Sequence, residues 1–393
     1  MKRAILFLTY LLICIFPLGL LFRVRLVSGV QIIPQDIVVL GIMFLTIIYY
    51  VKDHRKLEFK EFFLFQALFI AVGLISLVVN HFIYRDINLT ASFLYVIRYA
   101  SYVSLLAIGP LFEKSKSIKN TLIFSGGVFV LFGFIQFILF NDLRKLFYLG
   151  WDEHLYRLFS TLFDPNFAGI WYVLFFLLLL NIVAKEKYEK SYKALIVAFF
   201  TIVAIYLTYS RTALVALVAG VTTMGIVRRK FKVLLLSFAA FIILLVTVSD
   251  ISIEGLNPLR TVSTFDRIKS MNEAVDIIRK SNFMGVGFNA FRYAQVRYGI
   301  RNPIGAAVSN SDAGTDNSLL FVTATTGIAG GVLYLLSYVF LIKNLVYERN
   351  SFNFTLICML VSIGVGSFFV NVLFYTPVLA WLFLLIGFRR KLN

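Results

Sequence analysis

The chain contains 393 residues, of which 60% are hydrophobic and only 15% are charged, and its formal net charge is +18. This composition excludes an ordinary water-soluble globular protein, because the apolar share is far above the average for that class. The basic residues lie in the gaps between apolar runs rather than together on one folded face, so the charge does not indicate nucleic-acid binding.

The apolar runs are about 20 residues long, the length of a helix that crosses a hydrocarbon layer of about 30 Å. We therefore predict an all-α polytopic membrane protein with about twelve transmembrane helices, forming a single transmembrane domain over residues 1–393. The first run resembles a signal peptide but lacks a small-residue cleavage site, so we interpret it as a retained helix. The predicted spans are 4–21, 31–51, 62–79, 90–112, 121–140, 166–184, 194–209, 212–227, 233–249, 318–342, 354–370 and 374–388.

The distribution of lysine and arginine predicts the orientation. Basic residues in short loops are retained on the cytoplasmic side. Most of the 38 basic residues lie in the alternate gaps that include the N-terminus, which predicts that both termini are cytoplasmic. Residues 250–317, between the ninth and tenth spans, then form one large extracytoplasmic loop, and long translocated loops escape the charge rule.

This outer loop is expected to be partly helical. Ser263 followed by Asp266 has capping-box spacing, so a helix should begin there. Apolar residues then recur at helical spacing as far as Lys280. The predicted stripe consists of Ile268, Met271, Val275 and Ile278.

A pair of glycines, Gly285 and Gly287, follows the predicted loop helix. The third glycine and the preceding strand of a nucleotide-binding loop are missing. We therefore predict a tight turn that returns the chain toward the membrane.

Polar residues stand at the outer ends of several spans. Asp316 precedes the tenth span, where a carboxylate is either a functional group or a helix N-cap. Arg211 begins the eighth span almost without a loop, and an arginine there needs a water-filled cavity, an anionic partner or a salt bridge. The residue pattern alone leaves these alternatives open.

At these residues the sequence resembles the O-antigen ligase and O-antigen polymerase superfamily, whose members move sugar chains from a polyprenyl diphosphate carrier outside the cytoplasmic membrane. At the loop exit Asp316 stands where ligases have His, and Met271 stands where relatives often have Trp. The resemblance covers about residues 155–337. In chain order its features are Phe163-Asp164-Pro165-Asn166, Ser210-Arg211-Thr212, Arg267, Gly285-Val286-Gly287 and the exit from Asp316 through Gly327 to Gly330.

The resemblance implies three catalytic residues. Asp316 would accept the proton of the acceptor hydroxyl, while Arg211 and Arg267 would pair with the diphosphate. No cofactor is implied, and the three scattered histidines and the carboxylates form no recognisable metal motif. The substrate-binding residues predicted in addition are Arg157, Asn166, Asn317 and Arg98.

The predicted function is a metal-independent, inverting glycosyltransferase of a bacterial-type cytoplasmic (inner) membrane, with its active site on the outer face. Its partners would be a polyprenyl-diphosphate-linked oligosaccharide donor, a glycan or lipid acceptor and membrane lipids. A polymerase that joins repeat units of a surface polysaccharide is favoured by the missing His, and the alternative is a ligase that transfers finished glycan to a lipid, cell-wall or protein acceptor. A solute transporter would usually show internal repeats or broken helices at the midplane, and no internal repeat is evident here. A structural scaffold would not need the outer arginines.

Overall fold

The computed structural model describes residues 1–25, 30–54, 56–112, 116–185, 188–228, 262–281, 283–302, 313–348 and 350–392. Apart from one pair of two-residue antiparallel strands, the regular structure of these residues is helical. The strands are β1 (Val24–Arg25) and β2 (Gln31–Ile32). The α-helices are α1 (Lys2–Ile15), α2 (Pro34–Lys52), α3 (Lys60–Tyr84), α4 (Leu89–Ser104), α5 (Lys116–Leu139), α6 (Pro165–Lys185), α7 (Tyr188–Leu207), α8 (Arg211–Val227), α9 (Val262–Lys280), α10 (Phe291–Arg297), α11 (Ser318–Tyr347), α12 (Ser351–Gly366), α13 (Thr376–Gly387) and α14 (Arg389–Leu392).

The chain is a multi-pass membrane protein. Within the described residues, six helices are long and apolar enough to cross a membrane: α2, α3, α4 with the turn that follows it, α5, α6 and α11. Most of α7 and the whole of α8, α12 and α13 form shorter apolar helices. The count of twelve spans therefore stays a prediction, because the ninth predicted span, 233–249, lies outside the described residues and α1 has only 14 residues.

Helix α6 lies at the centre of the bundle. Its most apolar stretch is 72% buried, whereas the other five long apolar helices are 28–50% buried. Trp171 of α6 packs against Trp381 of α13, with ring centroids 4.8 Å apart, and against Phe129 of α5 at 4.4 Å. Both tryptophan side chains are fully buried. The start of α6 is therefore anchored by packing on several sides.

The face that α9 buries differs from the predicted stripe. Ala274 and Ile277 are fully buried, in a cluster with Val286 and Phe321, whereas Ile268 is 49% exposed. Of the predicted stripe, Ile278 packs against this cluster. Apolar spacing indicated the helix, and the small residue Ala274 is among the residues that the helix buries completely.

The glycine pair after α9 forms the predicted tight turn and packs on a kink in α11. Gly327 interrupts the helical backbone of α11, with φ 70° and ψ 179°. The freed carbonyl groups of Ala324 and Thr325 accept hydrogen bonds from the N–H groups of Val286 and Gly287, at 2.8 and 3.0 Å. The segment that follows α9 is thereby attached to α11 through backbone hydrogen bonds.

The opposite end of α11 carries an ion-pair cluster that gives a testable pH dependence. Arg389, with a side chain 2% exposed, pairs with Glu348 at 2.7 Å and with Glu58 at 2.8 Å. Its hydrogen bonds lower the pKa of Glu348 from 4.5 to about 2. The resulting stabilisation is present above about pH 4.5 and is lost as the pH falls toward 2.

Glu348→Gln is expected to lower the thermal midpoint at pH 7. The difference in midpoint between the variant and the wild type should shrink as the pH falls from 4.5 toward about 2, the pKa of Glu348 in the folded protein. Thermal unfolding in detergent across this range measures the effect. Glu61→Gln is the control, because Glu61 is exposed and has no ion pair among the described residues. A difference that stays constant with pH would contradict an ionic origin.

Candidate active site

A cavity of about 380 Å³ lies where several helices begin. Its wall includes Asp36 from the first turn of α2, Asn166 from the start of α6 and Thr376, the first residue of α13. Asp316, which precedes α11 by two residues, also lines it. Helix N-termini carry partial positive charge, and at two of them this charge is met by the carboxylates of Asp36 and Asp164.

The charged lining of the cavity is rich in carboxylates. Arg98 and Asp36 form an ion pair at 2.9 Å. The guanidinium of Arg23 lies over the ring of Trp151, at 4.4 Å from its centroid. A surface with carboxylates beside an aromatic ring suits sugar hydroxyl groups and sugar faces. The charged residues of the described lining are Arg23, Arg98, Asp36, Asp152, Asp164 and Asp316.

Asp164 caps helix α6 from inside the cavity wall. Its Oδ1 accepts hydrogen bonds from the N–H groups of Asn166 at 2.6 Å and Phe167 at 3.3 Å. Removal from water raises the pKa of the Asp164 carboxyl above 3.8, and the nearby charge of Asp316 acts in the same direction. The hydrogen bonds from the two N–H groups and the positive charge of Arg157 act in the opposite direction and lower this pKa. Two carboxylates of this cavity therefore influence each other.

Asp164→Asn is expected to keep or raise the thermal midpoint at pH 7. The amide keeps an oxygen that can accept hydrogen bonds from the two N–H groups, and it removes a charge that burial disfavours. A carboxyl whose pKa is raised on folding lowers the stability of the folded protein once the pH exceeds 3.8, the ordinary pKa of the group. Asp164→Ala loses the cap and should be less stable by about 1 kcal/mol. Thermal unfolding of both variants from pH 4 to 8 checks this, and equal destabilisation by both would contradict it.

The loop helix α9 connects two of the predicted catalytic regions. Arg267 donates a hydrogen bond to Thr212 Oγ1 in the first turn of α8, at 3.2 Å. Three residues further along, Ser270 Oγ accepts from the Asp316 N–H at 3.2 Å. Three helical residues rise roughly 4.5 Å. Arg267 and Asp316 are thus held near one another by a single face of α9.

Arg211 and Arg267 lie close enough for their positive charges to repel. Neither is among the described residues that line the cavity, whereas Asp316 is. Arg211 is linked to the cavity through its neighbour Ser210, whose hydroxyl donates to Asn166 Oδ1 at 2.9 Å. The arginine pair therefore stands beside the cavity wall, at the same end of the bundle.

The residues predicted to bind substrate have different environments. Arg98 and Asn166 line the cavity. Arg157 is 1% exposed, and its guanidinium donates to the carbonyl groups of Thr208 at 2.8 Å and Tyr209 at 3.3 Å, so it holds the turn before α8. Asn317 is buried and forms the N-cap of α11.

Residues 196–335 match the family model described as O-antigen ligase. The resemblance predicted from the sequence is confirmed over these residues. Comparison with curated proteins gave no match. The matched segment includes Arg211, Arg267, Asp316 and the glycine turn that packs on the kink of α11.

The O-antigen ligase match covers only part of the cavity wall. It includes Asp316 and the residues from 288 to 321 that line the cavity, but it begins after the lining residues near positions 23, 98, 152 and 166. The predicted resemblance begins at about residue 155, so its portion before residue 196 lies outside this match. The cavity is therefore assembled from the matched segment, from earlier helices and from the region that leads into α13.

The sequence did not predict several of the lining residues, among them Arg23, Trp151 and Asp152. They lie in short segments between predicted spans and belong to no motif. Asp152, His154 and Asp164 each bring one potential ligand atom within 4.8 Å of the others, so among the described residues they form a group that could hold a metal ion. The guanidinium Nη1 of Arg157 lies 3.3 Å from His154 Nδ1, and this positive charge disfavours a cation there.

Proposed function

We propose that the protein is a membrane glycosyltransferase that polymerises polyprenyl-diphosphate-linked repeat units of a surface polysaccharide. The observation that carries the proposal is the cavity at the helix N-termini, with Asp316 in its wall and the O-antigen ligase match around Asp316. In this proposal the protein resides in a bacterial-type cytoplasmic membrane with both termini in the cytoplasm, and the cavity faces outward.

In the proposed reaction, the hydroxyl oxygen of the acceptor sugar attacks the anomeric carbon of the donor. The bond between that carbon and the diphosphate oxygen breaks, and the hydroxyl proton passes to the Asp316 carboxylate. Attack from the face opposite the leaving group inverts the anomeric configuration. The products are an extended glycan and a free polyprenyl diphosphate.

Arg211 and Arg267 would stabilise the charge that develops on the diphosphate. Guanidinium groups pair bidentately with phosphate oxygens, and a fixed pair of cations needs no reorganisation during the reaction. Their mutual repulsion raises the energy of the empty site and would be relieved by a bound dianion. The proposed mechanism uses no metal, and the carboxylates of the cavity would bind sugar hydroxyl groups.

The alternative function is a ligase that transfers finished glycan to a lipid, cell-wall or protein acceptor. The description of the matching family model, O-antigen ligase, favours it. Asp316 stands where ligases have His, and this departure favours the polymerase. The two enzymes differ in their products, because a polymerase elongates in many steps and a ligase transfers once.

The test is a transfer reaction with purified protein and a lipid-linked oligosaccharide pool from its host. Gels would follow glycan length, with lipid A-type and peptidoglycan acceptors supplied in parallel reactions. A ladder without added acceptor supports the polymerase, while a single product on an added acceptor supports the ligase. Inactivity on every lipid-linked donor would contradict both functions.

The same assay tests the arginines and the metal independence. Arg211→Lys and Arg267→Lys keep the positive charge but lose the bidentate geometry, so both should lower the rate of glycosyl transfer. Arg144→Lys is the control and should leave this rate unchanged, because Arg144 is exposed and pairs with Asp142 on the surface.

Treatment with EDTA should leave the rate of transfer unchanged. Loss of activity in EDTA, restored by a divalent cation, would instead implicate Asp152, His154 and Asp164.

A further inference from the structure

A second, apolar groove of about 240 Å³ opens between α2 and α4. Ile37 and Leu40 line it from α2, and Leu94 lines it from α4. These side chains are 63%, 44% and 39% exposed, respectively, although both helices are apolar enough to span a membrane. The groove therefore faces the hydrocarbon region of the bilayer rather than water.

The groove and the polar cavity share part of their walls. Asp36, Tyr95 and Arg98 line both. A molecule that follows the groove therefore meets a charged pair before it reaches the carboxylates of the cavity. This arrangement suits an amphiphile with a hydrocarbon chain on one side of Arg98 and a polar group on the other.

Arg98 is built to meet an anion at this junction. Its Nη2 donates to the Gln31 carbonyl group and to Asp36 Oδ2, and its guanidinium lies over the Tyr95 ring, 4.8 Å from the centroid. In the described part of the chain, Nε and Nη1 of Arg98 make no hydrogen bond. The paired Nη2 fixes the plane of the guanidinium, and the remaining donors suit phosphate oxygens.

We propose that this groove holds the first part of the donor's polyprenyl chain, so that the diphosphate passes Arg98 on its way to Arg211 and Arg267 and the sugar lies in the cavity. The proposal rests on the proposed function and specifies the entry path of its lipid substrate. A volume of about 240 Å³ is below the ordinary range of about 300–1,000 Å³ for ligand pockets, so the groove accommodates only part of a long chain. The rest of the chain lies in the bilayer.

The test uses a polyprenyl diphosphate with a photoreactive diazirine in the isoprene units nearest its diphosphate. The full-length protein is reconstituted in phosphatidylethanolamine and phosphatidylglycerol vesicles, irradiated and digested. Mass spectrometry should find the label on peptides that contain Ile37 or Leu94. Unlabelled polyprenyl diphosphate should compete for labelling, while added phosphatidylglycerol should not.

Leu94→Trp fills the groove and should reduce this labelling by about tenfold, which corresponds to a loss of about 1.4 kcal/mol in binding. Phe93→Trp is the matched control, because Phe93 is a neighbouring α4 residue, 48% exposed, that lines neither the groove nor the cavity. Wild-type labelling should persist in Phe93→Trp. Comparable monodispersity of the two variants on size-exclusion chromatography ensures that both are folded.

Three results would overturn the proposal: labelling elsewhere in the chain, equal labelling of Leu94→Trp and wild type, or equal competition by phosphatidylglycerol. The last would identify the groove as a site for ordinary phospholipid. Failure of the proposed function is a separate result. In that case the probe labels the groove specifically, but no sugar is transferred from any lipid-linked donor.

Discussion

Asp316→Asn is expected to lower the rate of glycosyl transfer by about 10²- to 10⁴-fold, the usual contribution of a general base. The substitution keeps the size of the side chain and removes the group that accepts the proton. The backbone N–H of Asp316 still donates to Ser270 Oγ, so the link to α9 is retained. Transfer rates at saturating donor, measured on the same lipid-linked pool, provide the comparison.

Thermal unfolding separates this catalytic role from a capping role. The cap of α11 is Asn317, whose Oδ1 accepts from the N–H groups of Leu319 and Leu320 at 2.9 and 3.0 Å. Asp316→Asn should therefore leave the thermal midpoint near the wild-type value. Asp142→Asn is the matched control for activity, because Asp142 pairs with exposed Arg144 away from the cavity. Full activity of Asp316→Asn would remove Asp316 from the mechanism.

The sequence predicts which polar residues lie at the same end of the helix bundle, because the lengths of the apolar runs indicate where each helix begins and ends. Apolar runs that cross the bilayer place alternate helix starts at one end, and Asp316, Asn166 and Arg211 all lie at helix starts. The sequence does not decide which residue caps α11. Asp316 and Asn317 are both good capping residues, and only the side-chain geometry identifies Asn317 as the cap.

The remaining features of the site depend on packing between distant segments. Nothing in the sequence around Arg157 distinguishes an arginine for substrate from one buried under the turn at Thr208 and Tyr209. Trp151 contributes to the cavity through its contact with Arg23, more than a hundred residues earlier in the chain. The groove between α2 and α4 likewise arises from the way two apolar helices meet, which hydropathy does not encode.

The kink of α11 gives the second large expected effect: Gly327→Ala should sharply reduce the amount of folded protein. At φ 70° and ψ 179° the backbone is in a region that residues with a Cβ avoid, at a cost of about 1–3 kcal/mol. An added Cβ would also lie 2.0 Å from the carbonyl oxygen of Phe283. Backbone atoms cannot move aside as a flexible side chain does, so the turn and the helix must separate.

The expected result is a lower monodisperse yield and a thermal midpoint reduced by several degrees. Gly364→Ala is the control, because Gly364 lies in α12 and an added Cβ meets nothing within 4 Å. That change should be neutral or stabilising by up to about 1 kcal/mol, since alanine is the better helix former. Gly285→Ala should behave like Gly327→Ala, because its Cβ would meet the Gly327 nitrogen at 2.5 Å.

A folded Gly327→Ala protein with the wild-type midpoint would mean that the turn does not depend on the kink. If the variant folds but loses activity, the hydrogen bonds from Val286 and Gly287 have a positioning role. Those bonds hold the segment after α9 against α11, and α9 in turn contacts Asp316 through Ser270. Glycines that look like a loop motif in the sequence then act by fixing the distance between Arg267 and Asp316.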